Sequence, residues 1–185
     1  MTRALIISGH PNLKESIANA TILTAVAAAL PEAEIRYLDS LYPDYRFDIE
    51  AEQQALRCAD VIVWQFPFSW YALPGLMKLW IDEVFLYGFS HGSTSKLNGK
   101  KLLLSFTTGA PQEAFSTEGW FGHDLDDYLL PFRTTAGLCN LELLPPIHTS
   151  GVSYTARIEE SQISQQKEAA REHAARLVAA IKALS

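Results

Sequence analysis

The sequence predicts an α/β protein: a five-stranded parallel sheet in the order 2-1-3-4-5, with helices on both faces as a three-layer sandwich. Three observations predict it. Apolar runs of strand length alternate with stretches of helical period along the chain. The runs are apolar at successive positions, as strands covered on both faces are. Right-handed crossovers then leave few possible orders for five such units. The competing dinucleotide-binding arrangement asks for G-x-G-x-x-G after the first strand, and the turn there reads Ser8-Gly9-His10-Pro11-Asn12, with one glycine.

Residues 4–7 (Ala-Leu-Ile-Ile) form the first run. After the loop 8–15, a helical stripe of Ala20, Leu23, Val26, Ala27 and Leu30 is ended by Pro31. Residues 35–38 make a short second strand, and a Tyr/Pro-containing loop, 39–48, leads to a helix near 49–57. The third strand, 61–64, is punctuated by Asp60 before it and Pro67 after it. Pro74 then stands where a helix favours its first residue, opening an apolar face of Leu73, Leu76, Met77, Trp80 and Val84. A Gly/Ser/Thr-rich connection, 88–99, precedes the fourth strand at 101–106. A helix around 124–138, a strand at 141–144 and an irregular stretch to about 155 follow. The last helix, to 184, carries Ala170, His173, Leu177, Ile181 and Leu184 on one face.

Composition bounds the rest. A chain of 185 residues, 48% hydrophobic and 19% charged, is that of one ordinary globular domain over 1–185. Fifteen basic against 21 acidic residues, net charge -6, speaks against a nucleic-acid partner, which needs a basic face. No apolar run approaches the roughly 20 residues of a membrane span, and the N-terminus lacks signal-peptide anatomy. Cys58 and Cys139 match no C-x-x-C pattern and are expected to be buried free thiols, which points to the cytoplasm. No H-E-x-x-H or Cys/His cluster suggests a metal site, and no G-x-S-x-G elbow suggests a hydrolase.

Ligands of an open parallel sheet bind at the loops beyond the strands' carboxyl ends, and three such loops carry informative residues. Ser16 is a good N-cap for the first helix, and the amides of Ile17, Ala18 and Asn19 open it; with His10 they suit an anion. The alternative is an ordinary capped helix. The segment Gln65-Phe66-Pro67-Phe68-Ser69-Trp70-Tyr71 displays Pro67, Phe68, Ser69, Trp70 and Tyr71 as an apolar shelf for a planar heterocycle, or else plugs the core. Thr107, Thr108, Gly109 and Ala110 offer hydroxyls and a close-approaching backbone, or a plain tight turn. In a 2-1-3-4-5 sheet the three loops are neighbours, and together they describe a site shaped for FMN.

The chain resembles the NAD(P)H:quinone oxidoreductase family of flavodoxin-like flavoproteins, which includes DT-diaphorase, general stress oxidoreductases and ancillary subunits of glutathione-gated potassium efflux systems. The resemblance rests on His10-Pro11 with Ser16-Ile17-Ala18-Asn19, on Leu41-Tyr42-Pro43-Asp44 with Asp48-Ile49 and Glu52-Gln53, and on Val63-Trp64 running into the shelf segment. Pro74, Leu79-Trp80-Ile81-Asp82-Glu83-Val84-Phe85 and Thr107-Thr108-Gly109 complete it, up to about Gly151. It implies phosphate contacts at His10 and residues 16–19, ring contacts at 68–71 and a polar edge at 107–110. It also implies a ping-pong, two-electron reaction in which NAD(P)H reduces the flavin and a quinone reoxidises it. FMN is the expected flavin, FAD the alternative. A homodimer is expected, with the aromatic stretch Trp80 to Phe89 either burying itself at the interface or turning inward. The second functional reading is a regulatory flavoprotein that activates a potassium-efflux antiporter, which would hold a cytoplasmic protein at the inner membrane.

The sequence departs from the family pattern where DT-diaphorase has a tyrosine and a histidine; Phe115 and Phe121 stand there, and neither can donate a hydrogen bond. Ala110 replaces a glycine. His123 is near enough in sequence to substitute, or is a solvated residue. His91 reads as a surface-loop residue, and His148 and His173 show no partner spacing. No catalytic residue is assigned.

Overall fold

The computed structural model describes residues 2–153 and 158–184. Its elements are β1 (Ala4–Ser8), α1 (Ala18–Ala29), β2 (Glu34–Tyr37), α2 (Leu38–Leu41), α3 (Ile49–Cys58), β3 (Val61–Pro67), α4 (Gly75–Val84) and β4 (Lys101–Thr107). Then come α5 (Leu125–Tyr128), α6 (Leu130–Leu138), β5 (Glu142–Leu143), β6 (Ile147–Thr149) and α7 (Glu160–Lys182). All strand pairings are parallel, in the order β2-β1-β3-β4-β5, with β6 also on β4. The predicted class and order are those observed.

Alternation along the strands divides the core in two. Leu5, Ile7, Ile62, Trp64, Phe66, Leu104 and Phe106 face α2, α3, α4 and α6 through Leu38, Leu56, Met77, Trp80 and Phe132. This half is aromatic, with Phe66 stacked at 5.6 Å on Phe106 and 5.8 Å on Phe132. Ala4, Ile6, Val61, Val63 and Leu103 face α1 and α7 through Ile22, Leu23, Val26, Ala174, Leu177 and Ile181. Each large side chain so buried contributes about 1.5–3 kcal/mol. Gly9 marks a close approach: a Cβ there would lie 2.3 Å from Met77 Sδ and 2.8 Å from Met77 Cβ, so the packing of α4 over the end of β1 calls for a residue without a side chain.

Several expectations change. The third strand runs on to Pro67, so Gln65 and Phe66 are buried ladder residues rather than loop. The fifth strand is two fragments on β4, because Pro145 and Pro146 carry no N–H to continue the ladder; β6 resumes it where irregular chain was expected. The helix around 124–138 is broken at Leu129, with Pro131 in the first turn of α6. Pro74 caps α4 from outside rather than being its first residue. Cys58 is exposed, at the end of α3, and only Cys139 is buried. In the aromatic stretch, Trp80 and Phe89 turn inward while Leu86 and Tyr87 face outward.

Candidate functional site

The loops after β1, β3 and β4 leave the same edge of the sheet and enclose a cleft of about 250 Å³. His10, Ser16, Ile17, Ala18, Asn19, Pro67, Phe68, Ser69, Trp70, Thr107 and Gly109 line it, eleven of the fourteen residues singled out in the sequence. Tyr71, Thr108 and Ala110 stand outside that lining.

The first loop is held at both ends. Leu13 N–H donates to Asp39 Oδ2 at 2.7 Å, and Ser16 Oγ accepts from Asn19 N–H at 3.1 Å. The Asn19 amide is therefore engaged by its own cap, contrary to its expected role as an open donor. The amides of Ile17 and Ala18 lie in the first turn, where a helix offers no carbonyl. His10 is buried, and its Nδ1 accepts from Asn12 N–H at 3.1 Å, which puts the proton of the neutral ring on Nε2. Among the described residues no lysine or arginine lines the cleft, so what these residues offer an anion is N–H groups and the α1 dipole.

The shelf is narrower than expected. Phe68 is core: its N–H donates to Thr107 O at 2.8 Å and its ring lies 5.1 Å from Phe106. Trp70 is the displayed ring, 91% exposed. It owes that display to a tight turn in which Ala72 N–H donates to Ser69 O at 3.1 Å while Trp70 and Tyr71 have φ of 50° and 64°. Two successive left-handed residues are ordinarily glycine or asparagine, and each such side-chain-bearing residue costs of order 1–3 kcal/mol. Packing of Tyr71 against Phe121 (5.2 Å) and Tyr128 (5.3 Å) holds the turn from the outside.

In the fourth loop Thr107 borders the cleft, but Thr108 is an internal fastening. Its N–H donates to Thr149 O at 3.0 Å, its Oγ1 donates to Ala110 O at 2.8 Å, and its carbonyl accepts from Val152 N–H at 2.8 Å. Ala110 accepts from Gly151 N–H at 2.9 Å. Val152, Ser153 and Gln166 also line the cleft and escaped sequence reasoning. Gln166, whose Nε2 donates to Ser153 O at 2.9 Å, stands four residues before Ala170 on α7's inward stripe, so that stripe extended one turn back would have found it.

Beneath the cleft lies a buried polar series. Asn19 Nδ2 donates to Thr107 Oγ1 (3.1 Å), Gln65 Nε2 to Asn19 Oδ1 (2.9 Å), and Ser105 Oγ to Gln65 Oε1 (2.5 Å). His173 bridges Ser105 Oγ through Nε2 (2.7 Å) and Thr149 Oγ1 through Nδ1 (2.9 Å). Burial, then the nearby Arg176 and His148, pull the His173 pKa down to about 3, so its ring is neutral. His148 stacks on Phe106 at 5.6 Å, and burial followed by Arg176 lowers its pKa too. Both histidines thus have partners that spacing did not reveal. Phe115 and Phe121 pack with Tyr128, while His123 is exposed, 3.7 Å from Asp127. His91 is half-buried in its loop beside Ser90. Asp82, Asp126 and Asp127 are solvated and Glu83 half-buried. Among the described residues no three metal-ligating side chains cluster, and no helix is long and apolar enough to cross a membrane.

Comparison with known proteins agrees with this geometry. The flavodoxin-like fold family matches residues 2–174. General stress protein 14 from Treponema denticola, solved in complex with FMN, superposes with a TM-score of 0.86 at 32% identity, over 97% of this chain and 99% of its own. A thermophilic tryptophan halogenase from Streptomycin violaceusniger follows at 0.80 and 32%, over 91% and 96%. An NADPH-quinone reductase from P. pentosaceus gives 0.70 and 25%, over 94% and 98%. Names this different on one fold mean that the reaction must be argued from the site. By fold, strand order and sequence, the chain belongs to the flavodoxin-like family, the one that holds the quinone reductases its motifs resemble.

Proposed function

We propose that the protein is an FMN-dependent NAD(P)H oxidoreductase that reduces quinones or similar small electrophilic acceptors. The observation that carries this reading is that one cleft joins the first turn of α1 to the exposed indole of Trp70. The residues present fit the group. The amides of Ile17 and Ala18 with the His10 ring suit a phosphate, the Trp70 face suits a flat tricycle, and Thr107 and the Gly109 backbone suit its polar edge. Bound there, the flavin supplies the two-electron redox chemistry, and the protein's work is to hold, orient and shield it. Phe68 and Pro67 close the cleft floor against water, and Gly109 lets a ligand approach the backbone.

FMN is preferred to FAD because the general stress protein at 32% identity holds FMN. The outward-facing Trp70, Leu86 and Tyr87 are apolar surface that a second copy would cover, so we read the working form as a homodimer. No feature of the described residues favours the transporter-regulating alternative. The test is to purify the protein, record its visible spectrum and identify the released flavin by chromatography. FMN at a hundredfold excess over its Kd should stabilise the fold by about 2.7 kcal/mol, visible as a raised Tm. Neither colour nor thermal shift, with FMN and with FAD, would refute the proposal.

A further inference from the structure

Gln65, Ser105 and Thr107 occupy the α1/α7 face of the sheet, where Val61, Val63 and Leu103 precede them in alternation. Buried amides and hydroxyls there would be costly without partners, and each has one in a series that ends at the far surface. Arg176, exposed on α7, donates from Nη2 to His148 O at 2.8 Å and to Thr149 Oγ1 at 3.0 Å.

That end gives the series a direction. A guanidinium only donates, so Thr149 Oγ1 is an acceptor towards it and turns its own hydrogen to His173 Nδ1. The neutral imidazole then carries its proton on Nε2 and donates to Ser105, which donates to Gln65 Oε1. The opposite direction would bring two N–H groups onto one hydroxyl oxygen beside a cation. Gln65 and Asn19 pass the direction on, and Thr107 Oγ1, accepting from Asn19, has its hydrogen left to donate. In a low-dielectric interior each link polarises the next.

We propose that this chain makes the Thr107 hydroxyl a polarised donor into the cleft and makes Arg176, at the other end of the series, a positioning residue that favours negative charge on the bound flavin. The proposal rests on the flavin reading above. It supplies what Phe115 and Phe121 cannot, a donor for charge on the reduced ring, through neutral groups and without moving a proton.

Two measurements test it. In protein without flavin, ¹⁵N NMR should find the His173 ring protonated on Nε2; protonation on Nδ1 overturns the chain. In flavin-loaded protein, dye equilibration gives the two-electron potential, and titration gives the affinity for oxidised FMN. Arg176→Gln should leave that affinity within about twofold while weakening binding of reduced over oxidised flavin about threefold, equivalent to about 14 mV. Thr107→Val should do so about tenfold, equivalent to about 30 mV, and Arg176→Lys should recover most of the Arg176→Gln loss. An unchanged potential in Arg176→Gln, or a change that Arg176→Lys does not relieve, overturns the role. A wild-type protein that binds no flavin overturns the function and this role together; an Nε2–H signal in that case locates the failure in the ligand rather than in the chain.

Discussion

Two buried polar clusters lie on opposite faces of the sheet, and they are built on different plans. On the aromatic side Glu52, 0% exposed, accepts from Arg36 Nε at 3.0 Å and from Arg36 Nη2, from the Tyr42 hydroxyl at 2.5 Å and from Trp80 Nε1 at 3.0 Å. Burial and the Glu52 carboxylate push the Tyr42 phenol up to about 12. Arg36, Tyr42 and Trp80 converge on one carboxylate, so the cluster turns in on Glu52 and ties β2, α3 and α4 together, with Arg36 also reaching Glu34 at 3.3 Å. On the aliphatic side the series from Arg176 to Thr107 is open: it starts in solvent and stops at the cleft. A closed cluster can serve only the fold, whereas an open one presents a side chain to a ligand.

The largest expected difference comes from breaking the closed cluster. Glu52→Ala removes the buried acceptor shared by Arg36, Tyr42 and Trp80 and should cost about 3–5 kcal/mol in urea unfolding. The molecules that remain folded should bind flavin as wild type does; a parallel loss of affinity would mean that the two clusters are coupled.

The open cluster should show itself in pH dependence. Unfolded His173 titrates near 6.5, but in the fold burial, with Arg176 and His148 nearby, keeps it neutral down to about 3. Between those values the unfolded chain binds a proton that the folded one refuses, so stability falls as pH drops below 6.5 and is unaffected above it. By pH 4.5 the loss from this group is about 3 kcal/mol. The stability difference between pH 7.5 and 4.5 should therefore be smaller by about that amount in His173→Gln, and equal slopes would show that the ring is not held neutral.

A smaller effect separates display from packing at the shelf. Trp70→Asn places a residue tolerant of positive φ in the strained turn and should stabilise the unliganded protein by about 1 kcal/mol. It should also weaken flavin binding several-fold, since ring contacts contribute about 0.5–1.5 kcal/mol beyond area burial. Lys167→Ala, on the exposed side of α7, is the control, and equal affinities in the two variants would remove Trp70 from the site. Smallest of all, Arg3→Ala breaks a solvent-screened surface pair with Asp60 (3.4 Å) and should leave both the Tm and flavin binding unchanged.

The sheet order was legible because β1 and the first halves of β3 and β4 hold continuous apolar runs and α7 carries an inward stripe. Much of the cleft was legible too, since strand ends and a helix start bring residues 16–19, 67–70, Thr107 and Gly109 to one edge. The open cluster was half-written in the pattern. Continuing the alternation Val61, Val63 places Gln65 inward, and Leu103 does the same for Ser105 and Thr107, but their partners on α1 and α7 are fixed by packing alone. The direction of Trp70 was not legible, because neither Trp70 nor Tyr71 is a residue type that announces positive φ. Tyr128 likewise joins Tyr71 and Phe121 only once the break at Leu129 has turned α5 toward the shelf.

The interrupted edge beside β4 has a consequence for the molecule among its own copies. A long bare strand edge is a template on which another chain can add a strand. Here one margin is β2, four residues long with charged Glu34 and Arg36 along it, and the other is cut by Pro145 and Pro146 into fragments of two and three residues. Neither margin offers a run of free amides long enough to seed a ribbon. The sheet is thereby a finite object, and a cell can accumulate the protein without each copy becoming a growth point for the next.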